Sequence, residues 1–227
     1  MELVGRSLDQ PVQEAVSRRA VEPFAYAIAK RVFDLAVCIP MLVLTAPVLL
    51  VLAILIRLDS PGPVIFAQRR VARGGTVFTF YKLRTMYIDA RERFPDLYAY
   101  RYDDATIRTM RFKILDDPRL TPVGRWLRRT SLDEIPNLWN VLRGDISMVG
   151  PRPEIPQMLP YYEPWQLEKF AVKPGVTGLS QISGRGLLGF QDTIAEDVRY
   201  VHERGFLVDL GILARTFVEV VRRQGAF

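Results

Sequence analysis

From Leu35 to Ile56 the chain runs 22 residues without a charge, interrupted only by the hydroxyl of Thr45, and a run of that length calls for lipid. As a straight helix it would rise roughly 33 Å, enough for the hydrocarbon core of a bilayer. Pro40 and Pro47 argue against a simple crossing, because each lacks the backbone donor a helix interior needs and bends the helix. Charge points the same way. Arg18, Arg19, Lys30 and Arg31 precede the run, and Arg57, Arg69, Arg70 and Arg73 follow it. Basic flanks prefer the cytoplasmic side, so a spanning helix strands one cluster outside, whereas a helix that enters, bends at Pro47 and returns keeps both inside. The halves Leu35–Ala46 and Val48–Ile56 would then be about 18 and 14 Å long, too short to span alone. Length alone allows both geometries; proline and charge favour the re-entrant one.

The remaining composition bounds the class. A chain of 227 residues, 49% hydrophobic, holds one domain beside a membrane element. Its net charge of +6 would attract phosphate-bearing substrates, anionic lipid and nucleic acid alike. Residues 1–29 carry Glu2, Asp9, Glu14 and Glu22 and no apolar stretch before a cleavage site, so no signal peptide is expected and the bulk of the chain should stay cytoplasmic. The lone Cys38 lies in the apolar run, which removes a disulfide framework and a thiolate site. With His202 as the one histidine, zinc clusters and Ser-His-Asp chemistry also fall away, and His202 reads as structural. No P-loop exists. Gly184-x-Gly186-x-x-Gly189 formally matches a dinucleotide fingerprint, but the chain after it is too short for further strand-helix units.

Three segments follow: a surface segment at 1–29, a membrane element at 30–60, and a small α/β (α+β) soluble domain at 61–227. Asp59-Ser60-Pro61-Gly62-Pro63 marks the boundary. Val64–Gln68 and Val77–Tyr81 read as strands of a hairpin turning at Gly74-Gly75. Residues 87–114 read as helix with a loop. Thr130–Gly144 gives the clearest soluble helix, with Leu138, Val141 and Leu142 on one side, Gly144 as its stop, and Pro136, Asp133 and Glu134 at its start. Gly150–Pro156 and Lys173–Gly178 read as loops, and Asp192–His202 and Leu207–Arg223 as helices. The stripe Leu210, Leu213, Phe217 and Val220 on the last helix suits a core or a lipid interface equally.

The elimination leaves carboxylates and guanidinium groups. Arg125, Arg128, Arg129, Thr130, Ser131, Asp133 and Glu134 are the densest set. Adjacent acids at a helix start, with arginines upstream to hold an anion, suit phosphoryl chemistry: one carboxylate attacks phosphorus while its neighbour helps hold Mg²⁺. Taken alone, Ser131-x-x-Glu134 reads better as a capping box. Lys82-Leu83-Arg84-Thr85-Met86 and Pro151-Arg152-Pro153-Glu154 add cations and a rigid loop.

These segments resemble a known family. The apolar run, FYKLRTM at 80–86, LTPVGRWLRRTSLDEIPNLWNVLRGDISMVGPRPE at 120–154 and KPGVTGLSQISGR at 173–185, in that order, resemble the bacterial sugar transferases, the small monotopic phosphoglycosyl transferases. The resemblance implies transfer of a sugar-1-phosphate from a UDP-sugar to undecaprenyl phosphate, with release of UMP and a requirement for Mg²⁺. It implies an initiating step of exopolysaccharide, capsule, O-antigen or glycoprotein assembly at the inner membrane, on its cytoplasmic face. By motif match Asp133 is the nucleophile and Glu134 its metal-associated partner. Lys82, Arg84 and Arg128 hold phosphates, Arg152 sits at the nucleotide, and Gln181, Arg185 and Asp197 match later polar positions. The family bends its membrane helix at Ser-Pro. Here Ala46-Pro47 stands in that place, leaving Thr45 as the nearby hydroxyl. The competing class is a membrane-tethered basic protein that binds anionic lipid or nucleic acid without catalysis; the family implies no nucleic-acid partner. The sequence names neither the sugar nor the oligomeric state, a homo-oligomer included.

Overall fold

The computed structural model describes residues 23–110, 114, 116–184 and 188–222. Arg185 and most of the N-terminal segment lie outside the described residues. One helix, α1, covers Phe24–Asp59 and so begins ahead of residue 30. It runs as a single helix through Pro40 and Pro47. The carbonyl that Pro47 deprives of a donor is that of Val43, one turn back. Thr45 does not serve it, because its hydroxyl donates to the Met41 carbonyl at 2.6 Å.

Both ends of α1 are fastened to the soluble domain, and its middle is bare. Near the start, Asp34 accepts from Ser147 Oγ (2.9 Å) and the Met148 N–H (3.0 Å), while buried Cys38 donates to the Leu138 carbonyl. Near the end, Leu52 and Ile56 are buried with Leu83 and Leu127. Between them Val43, Leu44 and Leu50 are about two-thirds exposed, an apolar surface that water would not cover.

The hairpin forms as the β-branched and aromatic runs predict. Strand β1 (Ile65–Val71) pairs antiparallel with β2 (Val77–Leu83) around the turn Arg73–Gly75. Short helices α2 (Ala90–Arg93) and α3 (Asp104–Thr109) follow, then α4 (Pro122–Thr130) and α5 (Asn137–Arg143). Two segments read as loops each border or hold a strand: β3 (Ser147–Val149) and β4 (Gly175–Thr177) pair in parallel. Three-residue strands carry too little periodicity to be seen in sequence. Helices α6 (Leu179–Gly184), α7 (Phe190–Glu203) and α8 (Phe206–Arg222) close the domain. Gly184 thus ends a helix, where a dinucleotide fingerprint would follow a strand.

The main core gathers Phe80, Leu138, Val141, Ile146, Met148, Tyr200, Val201 and Ile212 around the start of α1. On α8 the buried positions are Asp209 and Ile212, whereas Leu210, Phe217 and Val220 are exposed. Of its apolar stripe, Leu213 packs on the core while Leu210, Phe217 and Val220 face outward, where an interfacial helix would meet lipid. Asp209 ties α8 to α1 and α7, accepting from Lys30 (2.6 Å), Tyr26 (3.0 Å) and Tyr200 (2.6 Å).

Candidate active site

Asp133 and Glu134 lie on one 3-10 turn, Leu132–Glu134, between α4 and α5. This corrects the helix expected from Thr130. Helix α4 ends at Thr130, Ser131 adopts the left-handed conformation (φ 58°), and its N–H caps the Leu127 and Arg128 carbonyls. Pro136 explains the break: it cannot donate to the Leu132 carbonyl, which accepts instead from the Ile135 N–H at 3.3 Å with 3-10 spacing. Ser131 makes no side-chain cap bond, so the capping box is not formed here.

Strand β2 supplies the first cation. Lys82 Nζ lies 2.5 Å from Glu134 Oε1 and 3.9 Å from Asp133 Oδ2. Asn140, fully buried on α5, sets that spacing by donating to the Thr79 carbonyl (2.7 Å) and accepting from the Tyr81 N–H (3.2 Å). The loop after β3 supplies the second cation, with Arg152 Nη2 3.9 Å from Glu134 Oε1. That loop lies against β4 by direct backbone approach, since a Cβ on Gly175 would fall 2.1 Å from the Gly150 nitrogen. Asp197 supports it from below. Its Oδ1 accepts from Ser180 Oγ (2.6 Å) and the Arg152 N–H (3.4 Å), and its Oδ2 pairs with Lys169 Nζ at 2.9 Å.

Arg128 approaches Asp133 from α4. Its Nε donates to Thr85 Oγ1 (3.2 Å), and its Nη1 lies 3.7 Å from Asp117 Oδ2. Buried Asp117 in turn binds Arg119 through both carboxylate oxygens, at 2.8 and 2.7 Å. Arg84 is placed elsewhere: it donates to the carbonyls of Ser60, Pro61 and Pro63 and to Ser60 Oγ, which closes the end of α1. Of the residues singled out in the sequence, Asp133, Glu134, Lys82, Arg128 and Arg152 come together, and Gln181 lines the adjoining cleft. Arg70 joins them without a motif signal, stacked 5.5 Å over the Phe80 ring and donating to the Pro153 carbonyl at 3.0 Å. Charge alone could have flagged it, but not distinguished it from Arg69.

The electrostatics separate the two acids. Burial alone would raise Glu134, but Lys82, Arg152 and Arg70 outweigh it and hold the carboxyl at about 2. Burial pushes Asp133 up from its usual 3.8, Lys82 opposes this, and the neighbouring Glu134 charge adds to it. Burial also draws Arg70 down to about 10. Among the described residues no third acid, histidine or cysteine completes a closed metal cage. Two adjacent carboxylates nevertheless fit Mg²⁺, which takes one or two protein carboxylates and leaves its other positions to water and substrate phosphate.

Paired acids ringed by lysine and arginine, on a domain fastened to an exposed apolar helix, suit a membrane-associated protein. The chain belongs to the bacterial sugar transferase family, whose model it matches over residues 25–223. It is 39% identical to the galactosyl transferase CpsE of Streptococcus agalactiae over 89% of this chain and 44% of that protein. It is also 39% identical to the UDP-glucose:undecaprenyl-phosphate glucose-1-phosphate transferase of Caulobacter vibrioides, over 89% of this chain and 73% of that one. With the exopolysaccharide production protein ExoY of Rhizobium meliloti it shares 33% identity over the whole of both chains. The chain spans less than half the length of the streptococcal relative.

Proposed function

We propose that this protein transfers a sugar-1-phosphate from a UDP-sugar to undecaprenyl phosphate in two steps, as an initiating reaction of membrane polysaccharide assembly. An Asp133 oxygen attacks the phosphorus that bears the sugar, an acyl-phosphate bond forms, and the diphosphate bond breaks with its electron pair leaving on UMP. A phosphate oxygen of the lipid then attacks the same phosphorus and releases the Asp133 carboxylate. The observation that carries this reading is the single turn holding both acids under Lys82, Arg128 and Arg152, in a chain of this family.

The division of labour follows from the contacts. Glu134, tied to Lys82 and held ionised, suits a metal ligand and a fixed charge. Asp133 is held more loosely, with Lys82 Nζ at 3.9 Å, so its oxygens are better placed to bond phosphorus. Asp133 and Glu134 would hold Mg²⁺, which supplies neutralisation of charge on the phosphate oxygens. Lys82, Arg128 and Arg152 orient the diphosphate. The name of the Caulobacter relative supports a UDP-sugar donor and a lipid phosphate acceptor.

The membrane element is read as re-entrant, with the domain on the cytoplasmic face of the inner membrane. Support comes from α1, since Asp34 and Ile56 would lie roughly 33 Å apart along a straight helix, yet both dock on one soluble body. A bilayer-spanning α1 would drag that body into the hydrocarbon. Exposed Trp126 on α4 and Trp139 on α5 flank the acids, and tryptophan favours the headgroup region.

The deciding experiment incubates detergent-solubilised protein with Mg²⁺ and a panel of UDP-sugars, with and without undecaprenyl phosphate. UMP release and a phosphosugar adduct on the Asp133 peptide, seen by mass spectrometry without the lipid, are expected. UMP release that strictly requires the lipid, with no adduct, would replace the two-step path by direct attack of the lipid phosphate. Silence across the panel would return the chain to the lipid-binding alternative.

A further inference from the structure

The cleft beside Glu134 is lined by Arg70, Phe80, Arg152, Pro153, Gly175, Val176 and Gln181. Two of these side chains carry a buried polar atom without a partner: Arg70 Nε, a donor, and Gln181 Oε1, an acceptor. The remainder of each group is anchored. Arg70 Nη1 donates to the Pro153 carbonyl, and Gln181 Nε2 donates to the Val176 carbonyl at 3.0 Å. Buried polar atoms need a partner from ordered water or a ligand, and two of them share this small cleft.

We infer that this cleft is the sugar subsite, in which Arg70 Nε and Gln181 Oε1 bind hydroxyl groups of the hexose. The inference rests on the proposed function. Three observations select the sugar over the other parts of a nucleotide sugar. The cleft adjoins Glu134, next to the residue that attacks the phosphorus bearing the sugar, whereas the uracil lies one phosphate and one ribose further away. One open donor and one open acceptor match hydroxyls, each of which can both give and take a hydrogen bond. A base would want a free aromatic face, but the one ring here, Phe80, already carries the Arg70 and Lys82 cations at 5.5 and 5.4 Å.

The test measures binding in full-length protein carrying Asp133→Asn, which blocks adduct formation on the proposed path. Probes are UMP, UDP-glucose, UDP-galactose and UDP-N-acetylglucosamine, each with Mg²⁺, titrated against Arg70→Lys and Gln181→Met. Arg70→Lys keeps the cation over Phe80 and deletes the Nε donor; Gln181→Met keeps length and deletes the carbonyl. Each variant should weaken the best-bound UDP-sugar about 10- to 100-fold and change UMP affinity less than about twofold. A matching loss for UMP would reassign the cleft to the nucleotide. Unchanged affinity for every probe would make the two side chains structural and overturn the subsite while leaving the reaction intact. If the Asp133→Asn protein binds no probe and the parent releases no UMP, the nucleotide-sugar reading falls and the subsite with it. Melting temperatures screen for misfolding, and Gln181→Asn, which shortens the reach but keeps the amide, replaces Gln181→Met should that variant unfold.

Discussion

Asp133 and Glu134 are neighbours in sequence, yet their surroundings give their charges opposite effects on stability. Glu134 titrates in the fold at about 2 against its usual 4.5, so it contributes stability above pH 4.5 that is lost as pH falls through about 2. Asp133 is raised, so its contribution is full below its unfolded value of 3.8 and is lost as pH rises through its folded value. Asp133→Asn should therefore abolish the phosphosugar adduct while raising stability by about 0.5–2 kcal/mol, the usual exchange of function for stability at an active site. Glu134→Gln should lower it by about 1.5–3 kcal/mol, because Lys82 loses its charged partner. Calorimetry at pH 7 decides both signs, and a destabilised Asp133→Asn would show that its ionised form is better satisfied than its burial allows.

The arginines give a second prediction at this scale. Arg128→Lys and Arg152→Lys keep charge but not the planar fork, and should each lower kcat/KM by roughly 10- to 100-fold. Near-parent kinetics in both would remove them from the diphosphate. The sequence motifs singled out these two side chains, but not Asp117, which is eleven residues upstream of Arg128 and lies 3.7 Å from it in the fold.

Among the elements, α4 and β2 must meet closely for Arg128 and Lys82 to frame one pair of acids. Gly124 makes that contact. A Cβ there would fall 1.9 Å from the Thr85 carbonyl oxygen, which already accepts from the Thr121 N–H at 3.1 Å. Gly124→Ala should push α4 off the end of β2, costing about 1–3 kcal/mol. Because Arg128 leans on Thr85, activity should fall by about 10²-fold even where the protein remains folded. Intact turnover with a lowered melting temperature would show that the site tolerates the shift. The hairpin was legible as two runs of β-branched and aromatic residues around Gly74-Gly75. The turn carrying the acids was not, since Thr130–Gly144 has a helical pattern and only the missing donor of Pro136 divides it.

At the scale of the whole molecule, the question is how a 36-residue helix meets the bilayer. If both its ends remain with the soluble domain, single cysteines placed near Lys30 and near Ser60 in a Cys38-replaced chain should be shielded from membrane-impermeant reagents in intact cells. Both should react after the cells are opened. Labelling of one site from outside would require a crossing helix, and with it a different docking of Asp34 or Ile56.

Hydropathy, charge and motif order pointed to lipid, to carboxylates and guanidinium groups, and to the family that the comparison shows. These are properties of composition and of residues near one another in the chain. Tertiary structure alone decided that Arg84 closes α1, that Asp197 supports the Arg152 loop, that Arg70 and Gln181 share a cleft, and that the two carboxyls are shifted in opposite directions. Each depends on which distant segments pack together and exclude water, because burial and a cation a few ångströms away outweigh anything a carboxylate's sequence neighbours impose.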